Sequence, residues 1–307
     1  MRHHILYHDH CADGFLSYVL ARFAMESAGI RPEAIHGHPC TYGKPILTVK
    51  PEDLEKGDSV LMVDFSAPVE VMDAFAAAAG EGMFQVLDHH AGVPDEARAR
   101  PYFEFSARAG CFMTYFRLAR TAIRAGVPSV VELIEWRDLG GAWQEPDHQW
   151  SEQAHCVHAG LMRLLPRTYK AWLEMVIYES KLEKLMAQGA ELRRRDARVV
   201  WSAAAFPTWV EIGGHVVPAV DGLALTLVSD ACQALLNEFP LAPFAASWFV
   251  DAEGRDVVVS LRSRKGEMDV SEIARVYGGN GHACAAGFRT EKALKVVEPP
   301  TPTIEAP

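Results

Sequence analysis

The sequence predicts an α/β protein with a mostly parallel sheet in its N-terminal part and a smaller α+β domain after it. Short apolar strands alternate with amphipathic helices in the first part of the chain, and polar residues follow several of these strands. The C-terminal third is richer in β-forming segments. Alternation of strands and helices at this spacing is typical of βαβ units, in which helices cover both faces of the sheet.

The N-terminal elements follow from hydrophobic spacing and from the residues that begin or end helices. Gly29 suits the end of a helix, and Pro68 suits the first turn of another. Apolar residues at helical spacing indicate the remaining helices. The expected elements are a strand at 5–8, a helix at 14–29, a strand at 60–63, a helix at 68–82, a strand at 83–88, and helices at 110–126 and 129–141.

The rest of the chain divides by composition into a helical connector, a second domain and a proline-rich end. A single long helix of mixed polar and apolar residues is expected at 167–198, and it ends in the basic run ELRRRDAR. The last residues are rich in proline, which is typical of disorder. The predicted divisions are a first domain at 1–165, a connector at 166–198, a second domain at 199–292 and a disordered tail at 293–307.

Composition argues against several classes of protein. The net charge of −10 comes from 30 basic and 40 acidic residues, whereas proteins that grip long duplex nucleic acid need a basic face. No apolar run reaches the roughly 18 residues of a membrane span, and the start of the chain does not resemble a signal peptide. The six scattered cysteines include no CxxC pair, so we expect no disulfide framework and a cytoplasmic location.

Polar residues that suit metal binding follow three of the predicted strands, at residues 9–13, at Asp64 and at residues 88–90. The carboxyl ends of parallel strands meet at one edge of a sheet, so these side chains should converge. Crowded carboxylates repel one another, and a divalent cation removes that cost. Oxygen and imidazole ligands without thiolate clusters favour Mn²⁺, Mg²⁺ or a similar ion.

Each of these signals has an ordinary structural explanation when it is taken alone. Asp64 could simply end a strand, Asp13 and Gly14 form a common turn dipeptide, and a DHH triplet can occur by chance. Their equivalent positions in the expected topology favour a shared site. Six other histidines are expected on the solvated surface: His3, His4, His36, His38, His155 and His158.

Five motifs give the chain a resemblance to the DHH phosphoesterase family. They are HDHCADGFLS, VDFS, LDHH, EWRDLG and GGNGHACAAGF, which occur in the family's order and span about residues 5–288. That family includes the RecJ exonuclease, the nanoRNases, some cyclic-dinucleotide phosphodiesterases and the related family II pyrophosphatases. The resemblance implies a DHH domain followed by a DHH-associated substrate-binding domain.

The resemblance also implies a metal site and the roles of the residues around it. Asp64 would bridge two metals, Asp88 would orient an imidazole, and His90 would face the substrate phosphate. These three residues form the predicted catalytic set. Mn²⁺ is the expected metal, with Mg²⁺ and Zn²⁺ as alternatives. The implied ligands of one complete metal site are Asp13, Asp64, His89 and Asp138.

The first motif departs from the family pattern H-x-x-x-D-x-D. When it is aligned on Asp13, the first His falls on Tyr7 and the first Asp falls on Cys11. Either neighbouring residues supply a second metal site, or that site is weak or empty. A Cys11 thiolate would favour Zn²⁺ or Mn²⁺ over Mg²⁺, whereas a neutral thiol would only pack. The candidate ligands for this second site are His8, Asp9, His10 and Cys11.

The second domain is expected to bind the substrate's phosphate. Its segment GGNGH is rich in glycine, so backbone amides there could cradle an anion. The planar fork of arginine suits bidentate contact with phosphate. Arg264 and Lys265 are instead expected on the solvated surface. The predicted substrate-binding residues are Arg262, Gly279, Gly281 and His282.

The expected function is metal-dependent hydrolysis of a phosphodiester or phosphoanhydride by metal-activated water. Short oligonucleotides or dinucleotides are the first candidate substrates. Polyphosphate or pyrophosphate hydrolysis is an alternative, and so is nucleotide sensing without catalysis if the altered first motif has lost activity. The expected partner is thus a small phosphorylated molecule and neither a long duplex nor a membrane. The oligomeric state stays open, a homodimer included.

Overall fold

A computed structural model describes residues 1–41, 47–251 and 254–300. The chain forms two compact units, Met1–Arg193 and the part that starts at Arg194. The first unit contains a five-stranded parallel sheet and the second a seven-stranded mixed sheet, which confirms the expected α/β class. Among the described helices, none combines the length and the apolar character needed to cross a lipid bilayer.

Five short strands build the sheet of the first unit. In chain order they are β1 (His3–His8), β2 (Ile35–Cys40), β3 (Ser59–Val63), β4 (Phe84–Asp88) and β5 (Phe103–Phe105). They lie in the order β2-β1-β3-β4-β5, with every pair parallel. All five carboxyl ends therefore meet at one edge of the sheet.

Among the described residues, nine α-helices begin in the first unit, and the last of them continues into the second. They are α1 (Ala12–Ser27), α2 (Val69–Ala79), α3 (Asp95–Arg98), α4 (Gly110–Thr114), α5 (Ser129–Asp138), α6 (Gly141–Gln144), α7 (Gln149–Arg163), α8 (Tyr169–Ile177) and α9 (Glu179–Ala205). Ile5 packs in one core with α1, and its neighbour Leu6 packs in another core with α2. Successive strand residues face opposite sides, so both faces of the sheet are buried at its centre, where β3 (SVLMV) is almost wholly apolar.

The prediction of one helix at 110–126 is wrong in length, because the α-helix is much shorter in the structure. Regular α-helix ends at Thr114, and Tyr115–Ala119 form a π-helical turn in which Arg120 N donates to Tyr115 O at 2.9 Å. The chain then turns toward α5, with Gly126 in the left-handed region at φ 90°. The apolar spacing correctly marked buried positions such as Tyr115, but periodicity alone cannot show where the hydrogen-bond pattern changes.

The single connecting helix expected at 167–198 is divided into α8 and α9. Tyr178 lies between them in an extended conformation, with φ −117° and ψ 98°. Trp172 of α8 and Leu182 and Leu185 of α9 are buried in the core of the first unit. The break allows both helices to bury apolar side chains there, so much of the expected connector is part of this unit.

The second unit is built on strands β6 (Thr208–Ile212), β7 (His215–Asp221), β8 (Ala245–Val250), β9 (Val257–Arg262), β10 (Asn280–His282), β11 (Ala285–Thr290) and β12 (Lys295–Val296). Their order is β10-β11-β9-β8-β7-β6-β12, and only β7 and β8 pair in parallel. Helices α10 (Val228–Glu238) and α11 (Val270–Val276) pack on this sheet.

Three expectations about surface and disorder need correction. His4 and His155 are buried: the Nδ1 atom of His4 lies 3.0 Å from His38 Nε2, and His155 Nε2 lies 3.2 Å from Ala142 O. Arg264 donates to Leu236 O and Ala242 O near the end of α10, so it has a structural role. The tail predicted at 293–307 contains β12, which pairs with β6. Residues 301–307 of that tail lie outside the described residues.

A close crossing of α7 and α9 gives a test of this packing. A Cβ atom added to Gly189 of α9 would lie 1.9 Å from the carbonyl oxygen of Cys156 in α7. We expect Gly189→Ala to lower the free energy of unfolding by about 1–3 kcal/mol, because the helices must separate. The urea midpoint followed by circular dichroism measures this change. Alanine normally stabilises a helix by about 1 kcal/mol relative to glycine, so a stabilised variant would contradict the crossing.

Candidate metal centre

Three of the predicted site residues lie at the same edge of the parallel sheet. His8 is the last residue of β1, Asp64 directly follows β3, and Asp88 is the last residue of β4. Asp64 and Asp88 are almost completely buried. The parallel order of the three strands places their ends side by side, as the sequence predicted.

The Nε2 atom of His89 is the meeting point of three carboxylates. It lies 2.9 Å from Asp64 Oδ1, 3.5 Å from Asp13 Oδ2 and 3.5 Å from Asp138 Oδ2. Asp13 comes from the first turn of α1, and Asp138 is the last residue of α5. The structure thus brings together all four residues that were implied as ligands of one metal site.

Backbone amides at the start of α4 hold Asp13 in place. Its two carboxylate oxygens accept hydrogen bonds from Gly110 N and Cys111 N, each at 2.7 Å. A Cβ atom on Gly110 would lie 2.6 Å from Asp64 Cβ, so glycine permits this close approach. Sequence reasoning did not identify Gly110. Its only signal was a glycine at the start of a helical pattern.

Asp64 has a left-handed backbone, with φ at 52°. This conformation is uncommon for a residue other than glycine, although aspartate tolerates it better than most, and it costs on the order of 1 kcal/mol. The hydrogen bond from Asp64 N to Leu87 O, at 2.9 Å, helps to hold it. The turn directs the carboxylate toward His89 and His8, whose Nδ1 atom lies 3.5 Å from Asp64 Oδ2.

A second group of donors lies beside the first. Atoms of His8, Cys11 and Asp64 lie within 4.8 Å of one another and could hold a cation. The carboxylate of Asp9 instead lies 3.0 Å from Arg167 Nη2 and 3.3 Å from His10 Nε2. Among the candidate ligands for a second site, His8 and Cys11 are therefore the residues that the structure places next to Asp64.

Asp88 contacts the two histidines that follow it in the chain. Its Oδ1 atom accepts a hydrogen bond from His89 N at 2.7 Å and lies 2.7 Å from the ring nitrogen Nδ1 of His90. The carboxylate therefore fixes the orientation of the His90 ring. Asp64, Asp88 and His90 also form a group with metal-ligand spacing.

Without a metal ion, the electrostatics of the centre are those of crowded acids. Burial and the charges of Asp64 and Asp138 raise the pKa of Asp13 well above its usual value. Burial alone would lower the pKa of His89, but its hydrogen bond to Asp64 and the other two carboxylates raise it to about 10. Burial and the charge of Asp64 raise the pKa of the Cys11 thiol well above its usual value. At neutral pH a protonated His89 thus balances part of the negative charge.

The residues present fit a divalent cation. The Oδ2 atoms of Asp64 and Asp138 are buried, and neither accepts a hydrogen bond from a described residue. Buried carboxylate oxygens are normally paired or bound to a metal. Carboxylates with an imidazole suit Mn²⁺, Mg²⁺ or Zn²⁺, whereas structural zinc sites are usually built from closed sets of Cys and His. The identity of the metal stays a prediction.

The predicted substrate-binding residues of the second unit lie at one end of its sheet. Arg262 ends β9, and two of its guanidinium nitrogens donate to Ser229 Oγ at 3.0 and 3.1 Å. Gly281 and His282 belong to β10, and Gly279 directly precedes it. Contact of these residues with a substrate stays a prediction.

The glycine-rich segment does not form the expected open cradle of amides. Gly279 N donates to Ala274 O and Gly281 N to Asn280 Oδ1, each at 2.8 Å. A Cβ atom on Gly279 would lie 2.1 Å from Gly287 O. These glycines allow β10 and β11 to approach closely, which explains the composition of the segment without a ligand.

Comparison with one solved structure supports a DHH-like fold. The chain matches the DHH domain of a member of a family of ribosomal proteins, with a TM-score of 0.56 and 12% identity over 96% of this chain and 82% of that chain. The pGpG-specific phosphodiesterase PggH from Vibrio cholerae matches with a TM-score of 0.45 and 11% identity over 95% of this chain and 94% of that chain. No protein-family model matches the sequence.

One curated protein that is similar in sequence comes from a virus. It is the uncharacterized protein R106 of Acanthamoeba polyphaga mimivirus, which is 25% identical over 305 residues and covers 92% of this chain. The match spans 66% of the length of that relative.

Removal of one carboxylate charge tests the metal centre. Asp138 lies at a helix end with a partly exposed side chain, so Asp138→Asn should fold normally. We expect Mn²⁺ to raise the melting temperature of the unmodified chain and to leave that of this variant unchanged, because one ligand oxygen and its charge are lost. Differential scanning calorimetry with and without Mn²⁺ measures the shift. Asp95→Asn, at a fully exposed acid, is the matched control. An undiminished Mn²⁺ shift in Asp138→Asn would exclude this residue as a ligand.

Metal affinity should increase with pH. Since the pKa of His89 is raised to about 10, its imidazole is protonated at neutral pH and must lose the proton before it can bind a cation. We expect the apparent Kd for Mn²⁺ to fall by up to about tenfold per pH unit between about pH 6.5 and about 8.5. Isothermal titration calorimetry in buffers of different ionisation enthalpy should detect about one released proton per ion. A pH-independent Kd with no proton release would contradict this prediction.

Proposed function

We propose that the protein is a metal-dependent phosphohydrolase that cleaves a phosphodiester or phosphoanhydride bond in a small substrate. The observation that carries this proposal is the convergence of Asp13, Asp64 and Asp138 on His89 Nε2. A metal site with only a structural role would not require acids from three separate elements. It would also not require a position at the edge of a parallel sheet where ligands bind. The resemblance of the motifs to DHH phosphoesterases supports the same conclusion.

Asp13, Asp64, His89 and Asp138 would hold the metal ion. When bound, such an ion lowers the pKa of a water molecule and neutralises charge on phosphoryl oxygens. The chain's own contribution is rigid placement: Asp13 is fixed by the amides of α4, and Asp64 by its left-handed turn. Preorganised groups of this kind need no rearrangement when charge develops in the reaction.

His90 is the residue that we assign to the substrate's phosphate. Its ring is fixed by Asp88 and lies beside that of His89, with the ring centroids 4.8 Å apart. Burial alone would lower the pKa of His90, but the charge of Asp88 and its hydrogen bond raise it. A protonated His90 can donate a hydrogen bond to a phosphoryl oxygen or supply a proton to the leaving group.

Short oligonucleotides or dinucleotides are the substrates that we propose first. The net charge of −10 disfavours long duplexes, while a local metal centre can still attract a single phosphate group. Polyphosphate and pyrophosphate are the alternative substrates. A sensor without catalysis is less well supported. Although the first motif is altered, His8 and Cys11 lie beside Asp64 and could supply the donors of a second metal site.

Substitution of Asp64 tests the proposal. Asn tolerates the left-handed backbone, so Asp64→Asn should fold while it loses a charge that both donor groups share. We expect kcat/KM to fall on the order of a thousandfold and the Mn²⁺-induced stabilisation to disappear. The assay uses Mn²⁺ with pApA, polyphosphate and a cyclic dinucleotide as separate substrates, and Asp95→Asn is again the control. Full activity of Asp64→Asn would refute the assignment, and failure of the unmodified chain on every substrate would refute the proposed function.

A further inference from the structure

Arginine and phenylalanine side chains form a ladder along α4 and the π-helical turn, defined by Arg108, Phe112, Phe116 and Arg120. The guanidinium carbon of Arg108 lies 3.4 Å from the ring centroid of Phe112, and that of Arg120 lies 4.5 Å from the ring of Phe116. The two phenyl rings are nearly parallel, at 7°, with centroids 6.4 Å apart. A third pair, Arg98 over Phe105, has the same arrangement at 3.8 Å.

The ladder lies in an arginine-rich part of an acidic chain. Residues 97–126 contain six arginines and one acid, Glu104, in a protein with a net charge of −10. Four of these arginines, at 98, 100, 108 and 117, form ion pairs with carboxylates. Among the described residues, neither Arg120 nor Arg124 forms an ion pair with a carboxylate, and both are exposed. The six arginines are Arg98, Arg100, Arg108, Arg117, Arg120 and Arg124.

The ladder begins at the metal centre. Gly110, between Arg108 and Phe112, is the residue whose amide donates to Asp13 and where an added Cβ atom would clash with Asp64. Arg108 also donates to both carboxylate oxygens of Glu135, at 2.5 and 2.6 Å, which fixes the start of α4. The helix therefore leads from the centre to solvent, where Phe116 is 48% exposed.

Phe116 is exposed and Phe112 is partly buried. Phenyl rings interleaved with arginines have the chemistry of a single-stranded nucleic acid surface. Bases stack on phenyl rings and on guanidinium planes, and arginine binds the phosphates between them. A π-helical turn is an uncommon element that is frequent at functional sites. An acidic protein partner would match the charge, but it would gain less from a row of stacked aromatic rings.

We propose that this ladder binds a single-stranded oligonucleotide whose end reaches the metal centre. The substrate would then extend beyond the two nucleotides that flank the cleaved bond, with its further phosphates and bases on Phe116 and Arg120. That statement about substrate length rests on the proposed function. Binding of the strand itself involves only the ladder and can be measured without turnover.

Fluorescence anisotropy with the full chain in EDTA tests the ladder, using labelled single-stranded RNA of two nucleotides and of about twelve. We expect Phe116→Ala to weaken binding of the longer RNA about tenfold, because one base loses its stacking surface. Arg120→Gln should weaken it as well and should reduce the slope of log K against log salt concentration by about 0.7 for one lost phosphate contact. Neither variant should change the affinity for the dinucleotide.

Arg31→Gln is the matched control, since Arg31 is exposed and precedes the N-terminal end of β2, at the sheet edge opposite the metal centre. An equal loss in this control would overturn the proposal, because it would indicate general attraction by charge. Unchanged binding of the longer RNA in both ladder variants would overturn it too. Competition by polyglutamate as strong as that by RNA would instead identify an acidic protein surface.

The two proposals fail in different ways. If the longer RNA binds through Phe116 and Arg120 but Mn²⁺ supports no hydrolysis, the proposed function is refuted and the ladder stands as a binding surface. If short substrates are hydrolysed while the ladder variants bind and cleave the longer RNA normally, the ladder proposal is refuted and the proposed function stands.

Discussion

The crowding of three carboxylates around the Nε2 atom of His89 is the constraint on which the rest of the first unit depends. Negative charges so close together in a buried site destabilise the fold unless a cation balances them. In the absence of a metal, a protonated imidazole takes that role, as the raised pKa of His89 indicates. The fold therefore has to provide rigid support for an arrangement that its own electrostatics oppose.

That support comes from the backbone. The amides of Gly110 and Cys111 fix one carboxylate, and a left-handed turn held between β3 and β4 directs another. A parallel sheet buried on both faces is suited to this task, because its packed strands cannot easily shift to relieve the repulsion. A side chain at Gly110 would clash with Asp64, so the site also depends on glycine at this position.

The same helix connects the metal centre to the basic surface of the first unit. Its first amides hold Asp13, and its continuation carries the ladder, of which Phe116 and Arg120 are exposed. An acidic chain can thus present exposed arginines where a phosphate-bearing strand would approach. The proposed reaction and the proposed substrate path share one structural element.

The sequence by itself determined the α/β class, the apolar strands and the polar residues at their carboxyl ends. These features are local, since hydrophobic spacing and strand-ending residues can be read over a few positions. The resemblance of five short motifs then indicated Asp13, Asp64, His89 and Asp138 as one set, and the structure brings these four together.

Only the tertiary structure decided how the site is completed. The contact between Asp13 and Gly110 joins residues that are 97 positions apart, and no local pattern encodes it. No local pattern shows that His8 and Cys11, and not Asp9, lie beside Asp64. Nor does one show that the helix breaks at Tyr178, so that α9 also packs in the core of the first unit. The glycines near β10 suggested a ligand-binding loop, because a glycine-rich composition shows that the backbone can be approached closely but not whether a ligand or another strand approaches it. In this fold that partner is β11.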